Sequence, residues 1–175
     1  GALPAATFLK IVDMHVGDAG ALALAAALDR GALPRLKILH LSSAAIGDAA
    51  LVALAPALRR RTALESLILG DNPLGDEGLA ALVAPPPPAG APPLPTGGLK
   101  KLKELDLDYT EVTDAGCAAL AVALDSGALP ALETLDLEYI PASDAAKAAV
   151  YAARANLSAT DADVECESED GEEGS

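Results

Sequence analysis

The sequence predicts an α/β repeat solenoid, and three observations point there. The first is composition. Of 175 residues, 51% are apolar but only 2% aromatic, with one Phe, three Tyr and no Trp, while 40 are Ala. A core tiled from Leu, Ala and Val suits closely stacked layers better than a globule anchored on rings. The second is repetition: Gly-Ala-Leu-Pro occurs at 1–4, 31–34 and 127–130, and self-similarity at a fixed period marks a stacked array. The third is a change of hydrophobic period inside each segment, from two to about 3.6, which is the pattern of a short strand followed by a helix.

Five segments follow in order. The first holds Leu9-x-Ile11 and Val16, then Gly17-Asp18-Ala19-Gly20 and an Ala/Leu run to Leu28. The second reads Leu36-x-x-Leu39-x-Leu41, then Ile46-Gly47-Asp48 and an Ala/Leu run to Leu58. The third reads Leu64-x-x-Leu67-x-Leu69-x-x-Asn72-x-Leu74, then Gly75-Asp76-Glu77-Gly78. The fourth reads Leu102-x-x-Leu105-x-Leu107, then Val112-Thr113-Asp114-Ala115-Gly116, and the fifth Leu132-x-x-Leu135-x-Leu137, then Ala142-Ser143-Asp144. The matching positions Val16, Ile46, Leu74, Val112 and Ala142 are 30, 28, 38 and 30 residues apart. In each segment the L-x-L leucines share one face of a strand. The aliphatics that follow recur about one helical turn apart. Asp18, Asp48, Asp76, Asp114 and Asp144 each precede the helical run, where an Asp serves as an N-cap and suits the helix dipole. Gly31 and Gly127, with Pro34 and Pro130 just beyond, read as helix stops.

These residues resemble the leucine-rich repeat, in its long ribonuclease-inhibitor-like class. The third segment, Leu64 to Leu82, matches that pattern almost position by position, Asn72 included. The resemblance implies a curved right-handed βα superhelix with a parallel sheet on the concave face and helices on the convex face. It covers roughly residues 5–156, and a repeat domain of five repeats is expected over residues 1–156. The family's turn Asn is replaced by Met14, Ala44, Thr110 and Ile140, so those turns need other partners. The fifth repeat, with Pro141, is read as a degenerate terminal cap. Because the chain opens on a tetrapeptide that elsewhere leads into a repeat, a fragment of a longer array is expected.

The additional residues before the fourth repeat are a proline-rich insertion at 85–98, which holds seven of the thirteen prolines. It favours an extended polyproline conformation. Pro92-Pro93-Leu94-Pro95 resembles a ligand of WW-type domains, but a loop insertion of the kind solenoids tolerate is the favoured reading. Residues 157–175 carry eight acids and no base, so a net charge of −14 divides into −8 there and −6 over residues 1–156. With few large apolar residues, this acidic tail is expected to be disordered. The acidic balance argues against a nucleic-acid partner, and no apolar run approaches the roughly 20 residues of a membrane span. Cys117, in a helical stretch, and Cys166, in the tail, give neither a disulfide nor a metal-ligand spacing with His15 and His40. Reduced thiols and a cytoplasmic setting are expected, with the sequon Asn156-Leu157-Ser158 a weak counter-signal.

No catalytic constellation stands out. His40 with Ser42 or Ser43 and Asp71 has the residue types of a hydrolase set, but no Gly-x-Ser-x-Gly elbow accompanies it. Arg59-Arg60-Arg61 suits the end of its own helix. No metal or cofactor site is expected. The strongest candidate surface comes from strand geometry. If the leucines face the core, the residues between them face the concave side: Lys103, Glu104, Asp106, Asp108 and Tyr109, then Glu133, Thr134, Asp136, Glu138 and Tyr139. Six of these ten are acids, where the 18 acids in residues 1–156 would place between one and two. Adjacent strands are about 4.8 Å apart, and like charges at about 5 Å cost about 0.8 kcal/mol even in water. Glu104, Asp106, Asp108, Tyr109, Glu133, Asp136, Glu138 and Tyr139 are therefore the expected partner-binding residues. The reading is a non-catalytic protein-interaction module for a basic protein surface. The repeat-plus-acidic-terminus layout is also similar to Ran-type GTPase-activating proteins, and a sensor or scaffold module of a larger protein is a further alternative.

Overall fold

A computed structural model of the chain describes residues 5–83, 99–154 and 157. The proline-rich insertion with Pro92–Pro95, Asn156, Cys166 and the acidic tail beyond Leu157 lie outside the described residues.

Five βα units follow one another: β1 (Phe8–Lys10), α1 (Gly17–Asp29), β2 (Ile38–His40), α2 (Asp48–Arg59), β3 (Ser66–Ile68), α3 (Asp76–Leu82), β4 (Glu104–Asp106), α4 (Asp114–Asp125), β5 (Thr134–Asp136) and α5 (Asp144–Ala153). The strands form one parallel sheet in sequence order. Their middle residues, Leu9, Leu39, Leu67, Leu105 and Leu135, stand in register. Leu39, Leu67, Leu105 and Leu135 are fully buried, as are Leu41, Leu69 and Leu107 one period further on. Each such side chain contributes about 1.5–3 kcal/mol of burial, so the period-two leucines fix which face of every strand meets the helices. Each helix packs on its sequence neighbour. Ala21, Ala25, Ala50, Ala55, Ala57 and Ala123 are buried in the same core as the leucines. Small side chains there let the layers approach, which is how a core without rings closes.

The Gly-Ala-Leu-Pro tetrapeptide is a helix exit. Gly31 and Gly127 both sit at φ +88. Gly31 N–H donates to Leu28 O and Ala32 N–H to Ala27 O; Gly127 N–H donates to Leu124 O and Ala128 N–H to Ala123 O. These paired bonds satisfy the last carbonyls of α1 and α4, and they need a left-handed residue at the glycine.

The aspartates that open the helices do not cap their own. The residues before them hold the N-cap positions: Gly47, Gly75, Thr113 and Ser143, with Val16 before α1. The Asp carboxylates reach forward to the next unit instead. Asp48 Oδ1 accepts from Gly75 N (2.7 Å) and Gly78 N (2.8 Å). Asp76 accepts from Thr113 N (2.8 Å) and Thr113 Oγ1 (2.5 Å). Asp114 accepts from Ser143 N (2.6 Å) and Ser143 Oγ (3.0 Å). The approach to α3 requires Gly78: a Cβ there would come within 2.8 Å of Asp48 Oδ1.

Arg59 and Arg60 close α2, as the residue pattern predicts, and Arg60 and Arg61 also serve the unit before. They reach back to the preceding helix: Arg60 Nη1 lies 2.5 Å from Asp29 Oδ1, and Arg61 Nη2 donates to Leu28 O at the end of α1. In the second turn, where Ala44 replaces the family Asn, Asn72 of the next unit supplies the missing partner. Its Oδ1 accepts from Ala44 N and Ile46 N, both at 3.0 Å, and its Nδ2 donates to Leu41 O (2.8 Å) as well as to Leu69 O and Gly70 O in its own turn. Thr110 Oγ1 closes the fourth turn on Leu107 O (2.7 Å). The fifth unit is complete. Tyr151 Oη donates to Leu135 O (2.9 Å), and the Arg154 guanidinium donates to Leu124 O, Ala128 O and Leu129 O at the end of α4. Burial and the charges of Asp136 and Glu138 push the Tyr151 phenol up to about 12, so it stays a donor at neutral pH.

Candidate functional site

The residues flanking each central leucine point away from the helices and line the open face of the sheet. Two rows cross it in register. One runs Phe8, Ile38, Ser66, Glu104, Thr134 and the other Lys10, His40, Ile68, Asp106, Asp136. The face is divided. β1 to β3 present three apolar side chains, Phe8, Ile38 and Ile68, interleaved with Lys10, His40 and Ser66. β4 and β5 present carboxylates. Burial and the neighbouring Lys10 charge hold His40 below its ordinary value, so the imidazole is neutral at pH 7.

Of the eight residues expected at the site, seven gather at β4, β5 and the turns after them. Asp106 and Asp136 are direct register partners. Each carboxylate also closes its own turn: Asp106 Oδ1 accepts from Asp108 N (3.0 Å) and Asp136 Oδ1 from Glu138 N (2.9 Å). Glu104 Oε2 accepts from Ser66 Oγ (2.7 Å). Glu133 stands apart. It precedes β5, and its N–H donates to Lys103 O, in a line where Lys37, Glu65, Lys103 and Glu133 follow one another along the sheet margin. Lys37 and Glu65 pair at 3.4 Å. This margin alternates in sign and carries no net charge.

One carboxyl beside the open face is shifted strongly toward its protonated form. Asp108 is partly buried and lies over Gly70, where a Cβ would collide with Asp108 Oδ1. Burial, a hydrogen bond with the Asp106 side chain and the charges of Asp106, Asp136 and Asp71 push its carboxyl up to about 7. Repulsion between stacked carboxylates is thus relieved by protonation at the most enclosed of them.

Tyr109 and Tyr139 cap the acidic end. Their rings stack at a centroid distance of 4.5 Å with an interplanar angle of 14°, and they are 54% and 66% exposed. Both backbones are left-handed, at φ +49 and +53. The equivalent position in the first three units is also left-handed and holds Asp13, Ser43 and Asp71. Short polar residues tolerate that region, whereas a bulky side chain is strained there by about 1–2 kcal/mol. Sequence reasoning placed the two tyrosines beside the outward acids, although counting by two from Leu105 and Leu135 puts positions 109 and 139 on the leucine side; they lie past the strands, in left-handed turns for which the residue pattern carried no signal.

The residues of the imagined hydrolase set form two separate pairs. His40 Nε2 and Ser42 Oγ are 3.0 Å apart, and Ser43 Oγ donates to Asp71 Oδ2 at 2.6 Å. The two pairs do not form a Ser-His-Asp relay, because Asp71 holds a hydroxyl rather than the imidazole.

Residues 33–55, 62–83 and 98–121 match the family model described as Leucine Rich repeat. Among solved structures 37 chains match. One of them, titled "Leiomodin-1 Actin-Binding Site 2 (ABS2)", superposes with a TM-score of 0.64 at 15% identity, over 88% of this chain and 82% of that one. At that identity the likeness is one of fold. No curated protein matches the chain in sequence.

Proposed function

We propose that this chain, three segments of which match the leucine-rich repeat model, is a protein-interaction module without chemistry of its own, which binds a basic protein surface on the open sheet face at β4 and β5. The observation that carries this reading is the exposed Tyr109–Tyr139 stack, held in strained turns beside the register-matched Asp106 and Asp136. Paired exposed rings are favoured interface anchors. The adjoining carboxylates supply complementarity to Arg and Lys, and Arg also stacks on aromatic faces. The eight acids of residues 157–175 add long-range steering of the same sign. The solved structure named above is titled as an actin-binding site, which supports a protein-binding use of this scaffold without naming the partner here. We assign the repeats to the ribonuclease-inhibitor-like class, supported by helices of 13, 12, 12 and 10 residues in four of the five units.

The test is nuclear magnetic resonance titration of the full chain with an arginine decapeptide. The expected result is shifts of the Tyr109 and Tyr139 resonances, lost in a D106N/D108N/D136N/E138Q variant whose circular dichroism is unchanged. Amide replacements keep an acceptor for the turn N–H groups, so fold and binding separate. Shifts confined to residues 157–175, or unchanged binding by the variant, overturn the proposal.

A further inference from the structure

The division of the open face specifies the shape of what it holds. We infer that the bound element is an amphipathic α-helix lying across the strands, its arginine-bearing N-terminal turns over β4 and β5 and an apolar ridge over β1 to β3. This inference rests on the protein-binding reading above and refines it.

Spacing selects the helix. Adjacent strands are about 4.8 Å apart, and a helix rises about 5.4 Å per turn, so a helix crossing the sheet brings roughly one turn over each strand. Crossing all five strands takes about four intervals, or about 13 residues of helix at 1.5 Å each. An extended segment repeats its facing side chains about every 6.6 Å, and so falls out of step with the strands within two of them.

Composition selects the order along that helix. Over β1 to β3 the face offers Phe8, which is 52% exposed, its register partner Ile38, and on β3 in the neighbouring row Ile68, the two isoleucines partly buried. These suit Leu, Ile or Phe recurring at every third or fourth position. Over β4 and β5 it offers Asp106, Asp136 and the Tyr109–Tyr139 stack, which suit two arginines one turn apart.

Charge selects the direction. The positive end of a helix dipole is its N-terminus, and here the carboxylates lie at one end of the face with Lys10 at the other. The partner helix therefore runs with its N-terminus over β5 and its C-terminus over β1. Read from its N-terminus, it carries Arg at i and i+4, then large apolar residues at i+7, i+11 and i+14.

Three synthetic 18-residue peptides of one composition test this against the full chain by fluorescence anisotropy and circular dichroism. The first carries that pattern, the second its reverse, and the third is the first with its central residue exchanged for a proline from its own terminus. The first is expected to bind at least tenfold more tightly than the other two and to gain helicity on binding. It should lose that advantage against a Phe8→Ser/Ile38→Ser variant, with circular dichroism confirming that the variant remains folded. Equal binding of all three, abolished by D106N/D136N, would falsify the helix while leaving the acidic-face reading intact. Absence of binding by every peptide, or indifference to D106N/D136N, overturns both.

Discussion

Replacing both tyrosines by asparagine, Y109N/Y139N, should remove partner binding and yet leave the protein as stable as before or slightly more so. Each Tyr stands at a left-handed backbone, φ +49 and +53. Asn occupies that region with little penalty, so each replacement relieves about 1 kcal/mol of strain. The stacked contact at 4.5 Å is lost once, at about 0.5–1.5 kcal/mol. Two reliefs against one loss leave a net gain of about 1 kcal/mol. For a domain of this length that raises Tm by about 2–4 °C. The single variants each relieve one strain and lose the whole stack, so each should lie within about 0.5 kcal/mol of the parent, and the double variant above both. The measurements are thermal unfolding by circular dichroism and urea titration, beside binding of the arginine decapeptide. A fall in Tm of more than about 3 °C in the double variant would refute the reasoning, because it would mean that the rings hold the fold rather than wait for a partner.

Three further outcomes follow from the geometry. Asn72→Ala removes the partner of two backbone N–H groups and three carbonyls. It should cost about 3 kcal/mol or more in urea unfolding, since buried groups left unpaired carry their full desolvation cost. Asp76→Ala takes both acceptors from Thr113 at the start of α4 and should cost about 1–2 kcal/mol, with hydrogen exchange rising in α4 rather than in α3. The Asp108 carboxyl is raised from 3.8 to about 7, so between those values the folded state holds a proton that the unfolded state has lost. Stability must therefore fall as pH rises from about 4 to 7, and a D108N variant should flatten that slope. Binding of a cationic peptide should tighten over the same range and release a proton; a pH-independent affinity would count against the site.

The repeats were legible in the sequence because their signal is local: a leucine's side of the strand depends only on counting by two. The exits at Gly31 and Gly127 were legible for the same reason. What could not be read locally was which unit a polar side chain serves. Asp48 and Asp76 stand at the start of their own helices, so a linear reading assigns them there. Only the stacking of layers shows that their carboxylates meet the next helix. Arg61 and Asn72 look self-contained in the same way, and each proves to satisfy the unit before it. The binding face divides similarly. Parity located Asp106 and Asp136, but it could not show that Tyr109 and Tyr139 turn out to solvent, that Glu133 belongs to a charge-alternating margin, or that Asp108 is enclosed enough for its carboxyl to be raised.

The forward reach of Asp48, Asp76 and Asp114, set against the backward reach of Arg61 and Asn72, governs how the chain behaves as a one-dimensional array. A unit lends its acceptor to a neighbour's helix and borrows a partner for its own turn, so part of its stability is interfacial rather than intrinsic. The second and third units exchange such contacts in both directions, through Asp48 to α3 and through Asn72 to the second turn. The fourth and fifth do the same, through Asp114 to Ser143 and through Arg154 to the end of α4, so these two junctions are strongly coupled links. Excising one unit would remove the contacts lent on both sides together with its own, so the array loses cooperativity faster than it loses length.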